Sequence, residues 1–583
     1  ERMSKQVESP LQALPLLWYP HTEQTAQVRM AYMDAVTNLW KENFSYQLGG
    51  WCRAHGVQYI GHVIEDMNAH ARLGGSAGHY FRALDGQDMS GIDVVLHQVM
   101  PGMADYCTPS SVEGGMADGE FYHYVLAQLG ASHARQNQRM NGKAMCEVFG
   151  AYGWAEGTPL MKWLMDFLLV RGVNHFVPHA FDDQFPDSDC PPHFYANGQN
   201  PQFSGFTQLM HYVNRAAHLL SGADMEASAA ILYHAEAAWM DADAMLMQKP
   251  AKVCYDAHIS YDIVPMDYLK SAETRDGKFG RGYRYLIVPA CKQLSPCFTE
   301  IAARLRRAGV PIFFINEAPA GVNACPEELV PLAQIASRIL AQHLAHDYQT
   351  SARLLRIAKF TRDELTVFFL FNESLQTVQT TLQLPVCGQY IAADFLNEQY
   401  VRDEAAQGEV TVELAAGQSV LLVFGGVSQE EWLAFPAKQD KLHTQILDVQ
   451  WDIDLRETGR EENFRPLRRK SKLFNITGLE DEREFSGEIR YRTTINLEKA
   501  ERMVLNIEHV GMTACLFANG RDLGQRICAP YCWDIADAVR NGENEIEVLA
   551  ANTLVQRMQD RLSSYMAIPA SGLTGNVTLS VTQ

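Results

Sequence analysis

Two carboxylates occupy positions from which acid and base chemistry is done in parallel βα proteins. Glu147 is the one charged residue in Ala144-Met145-Cys146-Glu147-Val148-Phe149, and Glu65 closes the run Tyr59-Ile60-Gly61-His62-Val63-Ile64 with Asp66 beside it. A charge at an apolar strand end is costly, so it is either paired with Arg or His or kept for its reactivity. In a parallel barrel the catalytic groups sit at the C-terminal ends of strands, where both residues are expected. Chemistry of this kind needs one carboxyl group kept protonated as an acid and a second kept ionised as nucleophile or base. The apolar flank of Glu147 and the adjacency of Asp66 to Glu65 would each raise a pKa, so either residue fits the acid.

Groups suited to a polyhydroxylated ligand gather around these two. Tyr152 and Trp154 follow Glu147, His175 and His179 straddle the end of the next strand candidate, and Asp182 and Asp183 lie just beyond. His62 precedes Glu65, and Gln98 follows Val94-Val95-Leu96-His97; the aromatic pair Tyr80-Phe81 is a further candidate for the same cleft. A pyranose offers hydroxyls for hydrogen bonds and a CH face that stacks on aromatic rings. Each histidine taken alone is more often a satisfied structural residue. Their convergence on one rim favours function.

Other chemistries fare worse. His175 and His179 do not make a zinc site, which would want three protein ligands and a visible base. Asp182, Asp183, Asp187 and Asp189 make an oxygen-rich stretch that could meet calcium, but without EF-hand spacing they read as a solvated loop, and no metal or cofactor is expected. Arg72 with Arg82 is a thin basis for a lyase or a phosphate-handling enzyme.

Composition narrows the class further. A formal net charge of −20 opposes nucleic acid binding, and the one dense basic run, Arg465 to Lys472, reads as a solvated linker. No stretch approaches the roughly 20 apolar residues of a membrane helix. Twelve cysteines in 583 residues, without CxxC pairs, read as free thiols. The N-terminus, Glu1-Arg2-Met3-Ser4, shows no signal-peptide pattern, which favours the cytoplasm and an N-terminus altered by processing or truncation.

The elements that must hold the candidate residues fall into four units. Residues 1–222 alternate long amphipathic helices (Arg29 to Ala54, Pro159 to Arg171, Phe206 to Leu220) with short apolar strands at Val57 to Val63, Ile92 to Leu96, Ala144 to Phe149 and Val173 to Val177, about half of an eight-unit (β/α)8 barrel. Residues 223–346 read as a small doubly wound α/β unit with strands at Ala230 to Tyr233, Lys252 to Tyr255, Tyr285 to Pro289 and Pro311 to Ile315, lacking GxGxxG or Walker signatures. In 347–432 the period changes to two, predicting a small β-sandwich. A linker near Pro436 to Lys441 leads to 433–583, a jelly-roll sandwich with strands at Gly487 to Leu497, Met503 to His509, Thr513 to Ala518 and Asn544 to Ala550 and a hairpin signal at Asn519-Gly520.

The runs Gly61-His62-Val63-Ile64-Glu65-Asp66, Gly91-Ile92-Asp93, Cys146-Glu147-Val148-Phe149-Gly150-Ala151-Tyr152-Gly153-Trp154 and Arg171-Gly172-Val173-Asn174-His175-Phe176-Val177-Pro178-His179 resemble, in order and spacing, the second half of the catalytic barrel of family 106 glycoside hydrolases, the α-L-rhamnosidases. The downstream order resembles family 42 β-galactosidases, in which a flavodoxin-like domain and a small β domain follow the barrel. Ile231-Leu232-Tyr233-His234-Ala235-Glu236, Tyr285-Leu286-Ile287-Val288-Pro289 and Phe371-Asn372-Glu373-Ser374 carry that likeness. Phe485-Ser486-Gly487-Glu488-Ile489-Arg490-Tyr491 resembles a galactose-binding-like sandwich. The resemblance implies a multidomain glycosidase acting on a rhamnoside- or galactoside-like sugar. It places Glu147 on the seventh barrel strand as nucleophile or base and Glu65 after the fifth, and by analogy it implies a dimer or trimer through the flavodoxin-like domain. The first barrel strands, with the position that usually holds the acid, are not matched. A catalytically inactive carbohydrate-binding protein, or a fragment of a larger enzyme, is the competing expectation.

Overall fold

The computed structural model describes all residues except 20–21, 64–69, 72–75, 110–115, 241–242, 345–347, 437–442 and 583. Glu65 and Asp66, Arg72 and most of the expected linker at Pro436 to Lys441 therefore lie outside the described residues.

The first unit opens with helix α1 (Glu23–Trp40), whose start is fixed by a capping box between Thr22 and Thr25. One π-helical turn joins it to α2 (Tyr46–Ala54), so the expected helix is present but begins six residues earlier than its apolar periodicity implies. Three parallel strands follow: β1 (Ser90–Val94), β2 (Ala144–Val148) and β3 (His175–Pro178), lying side by side in that order. Helix α3 (Ala127–Gln136) joins β1 to β2, α4 (Thr158–Leu169) joins β2 to β3, and α5 (Phe203–Leu220) follows β3. Ile92, Val94, Cys146 and Val148 point one way into the core shared with these helices, and Asp93 and Glu147 point the other way.

The expected strand at Val57 to Val63 is not a strand. The segment is anchored at its middle, where the Tyr59 amide donates to Asp88 (2.8 Å) and the Asp88 amide returns to the Tyr59 carbonyl (2.8 Å). It then crosses the Glu147 face of the sheet so closely that a Cβ on Gly91 would stand 1.8 Å from the Gly61 carbonyl oxygen. Glycine at 91 is what allows that crossing.

The second unit is a five-stranded, fully parallel sheet of β4 (Ala229–Tyr233), β5 (Tyr261–Pro265), β6 (Tyr285–Val288), β7 (Ile312–Ile315) and β8 (Leu329–Val330), arranged 2-1-3-4-5 in unit order. Lys252 to Tyr255, expected as a strand, lies in the helix Gln248–Asp256, where Pro250, Ala251 and Cys254 are buried at helical spacing. The missing strand is β5, which carries a buried Asp262 satisfied by Arg135 of α3 and by the Tyr283 hydroxyl at 2.7 Å.

Beyond it, a six-stranded antiparallel sheet and a two-stranded ribbon enclose a small core around Phe368, Leu382 and Leu422. The last unit packs a four-stranded sheet against a six-stranded one around Trp451, Tyr491 and Trp533. The basic run expected as a linker is in fact a strand, Arg465–Ser471, with Arg465 on Glu482 and Arg469 on Asp454. The first unit touches all three others: Arg171 meets Glu373, Arg135 meets Asp262, and the Thr158 hydroxyl donates to the Ile527 carbonyl at 2.9 Å. Among the described residues no helix is long and apolar enough to cross a membrane.

Candidate active site

Glu147 stands near the C-terminal end of β2, in register with Asp93 of β1 and Val177 of β3. The crossing segment brings His62 over both acids. Its Nε2 lies 3.2 Å from Glu147 Oε2 and its Nδ1 lies 3.5 Å from Asp93 Oδ2, so one imidazole bridges two carboxylates on adjacent strands. The hydrogen bond from His62 is the largest influence on Glu147; with the charges of His62 and His179 it outweighs partial burial and lowers the Glu147 pKa. Burial pulls His62 down, but the Glu147 bond and the charges of Asp93 and Glu147 prevail and raise its pKa. At neutral pH Glu147 is therefore a carboxylate, fit to act as base or nucleophile rather than as acid.

The face holding this cluster is open. Val177, beside Glu147 in register, is 43% exposed, and Phe181 just beyond β3 is 64% exposed. The rim is nonetheless well defined, because amide-to-carbonyl bonds from Leu96 to Gly150, Phe149 to Val94 and His179 to Val148 extend the sheet past its last strand residues. Four non-glycine residues there, Leu96, His97, Phe149 and Ala151, have φ between 55° and 82°. Left-handed conformations at such residues cost of the order of 1–3 kcal/mol each and gather at functional sites. They turn the chain sharply just after each carboxylate-bearing strand.

The other expected residues divide between this rim and the packing around it. His179 sits beside Glu147, at the end of β3, with a buried Nδ1 lacking a hydrogen-bond partner among the described residues. His175 starts β3, level with Met145, so it lies two residues below Glu147; its Nδ1 meets Asn174 Oδ1 at 2.8 Å. Tyr152 is fully buried and donates to the Val99 carbonyl at 2.8 Å. Trp154 is buried against Phe185 and His193, and its amide donates to Asp560 of the last unit. Gln98 is buried and accepts from the Val95 amide at 3.2 Å. Asp182 faces His193 rather than Glu147. Tyr80 and Phe81 are buried in the core. Asp93 was not among the expected site residues. Its signal was an acid in an apolar strand at the same level as Glu147 in the next.

Away from Glu147, a cavity of about 560 Å³ opens beside the start of β1, lined by Lys41, Arg82, Asp85, His133 and Asp267 among others. Within it Lys41 pairs with Asp85 and Arg82 with Asp267.

Among solved structures the chain is similar to the rhamnosidase from Novosphingobium sp. PP1Y, with a TM-score of 0.68 at 16% identity over 96% of this chain. Its fold is similar to that of a rhamnosidase. The chain spans 56% of the length of that protein. It is also similar to Gan42B, a GH42 β-galactosidase, with a TM-score of 0.48 at 10% identity over 72% of this chain and 74% of the other. A third likeness is the GH42 exo-carrageenase from Bacteroides ovatus, with a TM-score of 0.47 at 9% identity over 72% of this chain and 58% of the other. No protein-family model and no curated protein matches the sequence. Fold similarity to the rhamnosidase agrees with the resemblance seen in the sequence motifs.

Proposed function

We propose that this chain belongs to a glycoside hydrolase that removes a terminal rhamnoside- or galactoside-like sugar by carboxylate catalysis. In this reading the three parallel strands are part of a (β/α)8 barrel, the 2-1-3-4-5 sheet is a flavodoxin-like domain, and the last unit is a galactose-binding-like jelly roll. The observation that carries the proposal is Glu147: a carboxylate at the C-terminal end of a parallel strand, on an open face, held ionised by His62, which also meets Asp93 on the adjacent strand.

Glu147 is assigned as the base or nucleophile. A second carboxyl group must protonate the departing glycosidic oxygen, and Glu65, three residues beyond His62, is assigned to that role. A separation of about 5 Å between the two groups would give retention and roughly 6.5–9.5 Å inversion. His62 then positions the Glu147 carboxylate, while Val177 and Phe181 offer apolar surface to a sugar CH face.

The test is hydrolysis of aryl glycosides, α-L-rhamnoside and β-D-galactoside among them, by the chain and by its Glu147→Gln variant. A loss of at least about a thousandfold in the variant, roughly 4 kcal/mol of transition-state stabilisation, is expected. Equal rates in both proteins would remove Glu147 from the mechanism. Absence of turnover in both, with sugar binding retained, would replace the hydrolase by a carbohydrate-binding protein.

A further inference from the structure

We propose that Asp182, Asp187 and His193 form a binding site for one divalent transition-metal ion of the zinc type, fastening the loop after β3 beside the Glu147 rim. One ligand atom from each residue lies within 4.8 Å of the others, a spacing that a single ion can bridge.

His193 is the observation that points to a ligand. Its side chain is 3% exposed, and neither ring nitrogen has a hydrogen-bond partner among the described residues. Its Nδ1 stands 3.6 Å from Asp182 Oδ2, too far for a hydrogen bond. An imidazole buried without a partner is unfavourable unless something else takes its lone pair or its proton. Two carboxylates converge on the same spot, and among the described residues no Lys or Arg forms an ion pair with either. A cation satisfies all three groups together.

The surroundings are arranged as a metal's outer shell is. The Gln184 amide donates to Asp182 Oδ1 at 2.8 Å and the Asp189 amide to Asp187 Oδ1 at 2.9 Å, which fixes both carboxylates in place. Trp154 packs on the His193 ring with centroids 5.6 Å apart and covers one side. One nitrogen and two oxygen donors, all ligand types that zinc accepts, supply the three protein ligands of an open zinc site with a fourth position left for water, and an imidazole ligand disfavours calcium and magnesium. Sequence spacing pointed to an all-aspartate cluster and no metal. Folding brings in His193, which follows Asp187 in the chain only after Asp189, Pro191 and Pro192.

The ion would brace the active-site rim. The loop it closes is already tied to the turn after β2 through the Ala151 amide on the Cys190 carbonyl (3.2 Å) and the Gly153 amide on the Pro191 carbonyl (2.8 Å). That turn begins directly after the strand carrying Glu147.

Calorimetric titration of metal-stripped protein with Zn²⁺, with Ca²⁺ in a parallel titration, tests this. One Zn²⁺ per chain is expected, bound more tightly than Ca²⁺, with affinity at least about a hundredfold lower in His193→Ala and in Asp187→Asn. Saturating Zn²⁺ should raise the thermal midpoint of the parent and not of those variants. His62→Gln should bind Zn²⁺ unchanged, which separates this site from the imidazole at Glu147. Because Asp187 is half-exposed, Asp187→Asn carries the test should His193→Ala fail to fold. No Zn²⁺ binding by the parent, undiminished binding by Asp187→Asn, loss of binding in His62→Gln, or tighter binding of Ca²⁺ would overturn the assignment.

Discussion

Glu147 and Glu373 are both carboxylates held below their usual pKa by neighbouring cationic groups, but their surroundings differ in kind. Glu373 is 6% exposed and lies between Arg171 of the first unit and Arg356 of the third. Burial opposes its ionisation, yet the two guanidinium groups bring its pKa down to about 2. Neither arginine gives up its proton under ordinary conditions, so this carboxylate takes no part in proton transfer. Glu147 is half-exposed, and its partner is an imidazole whose charge changes near neutrality. A guanidinium clamp makes a joint between units, whereas an imidazole on an open face makes a carboxylate that can react.

Breaking the joint should have the largest effect on stability. Glu373→Ala leaves two buried arginines without their shared anion and is expected to destabilise the protein by about 3–5 kcal/mol, read from urea unfolding. Glu147→Gln in the same assay should cost no more than about 1 kcal/mol, the range of a partly exposed ion pair, since no buried cation is stranded. A large loss of stability in Glu147→Gln would erase the distinction drawn between the two carboxylates.

The pH dependence of stability sharpens the comparison by a smaller amount. The raised pKa of His62 means its contribution is fully present below its unfolded value of about 6.5 and is lost as pH rises through the higher folded value. The lowered pKa of Glu147 means its contribution is present above an unfolded value of about 4.3 and is lost as pH falls through the folded one. The pair therefore contributes most between about pH 4.3 and 6.5. Parent and His62→Gln should differ most in that window and converge at alkaline pH. A difference independent of pH would mean that His62 acts through packing alone.

These contrasts were unevenly legible in the sequence. Glu147 was visible because a lone acid in Ala144–Val148 has few structural excuses, and β2 and β3 were visible because their apolar runs end in loop chemistry. The segment Val57 to Val63 has the composition of a strand, but its backbone is taken by Asp88 and by the close crossing at Gly91, neither of which a local pattern contains. The strand β5 was hidden by Asp262, which becomes tolerable inside only because Arg135, distant in sequence, reaches it. Tyr152 and Trp154 looked like sugar platforms from proximity to Glu147, yet the sharp turn at Phe149 and Ala151 sends them into the packing beneath the rim. Asp93 and His62 meet Glu147 only through sheet register and the crossing segment.

The central claim is that His62 holds Glu147 ionised for catalysis. Its most direct measurement is the pH profile of kcat/KM for aryl glycoside hydrolysis by the parent and by His62→Gln. The acid limb of the parent should fall below the ordinary carboxylate range. In the variant it should move to higher pH, with a drop of about tenfold at the plateau, roughly 1.4 kcal/mol. An acid limb at the same pH in both proteins would contradict the account, because Glu147 would then owe its ionisation to something other than His62.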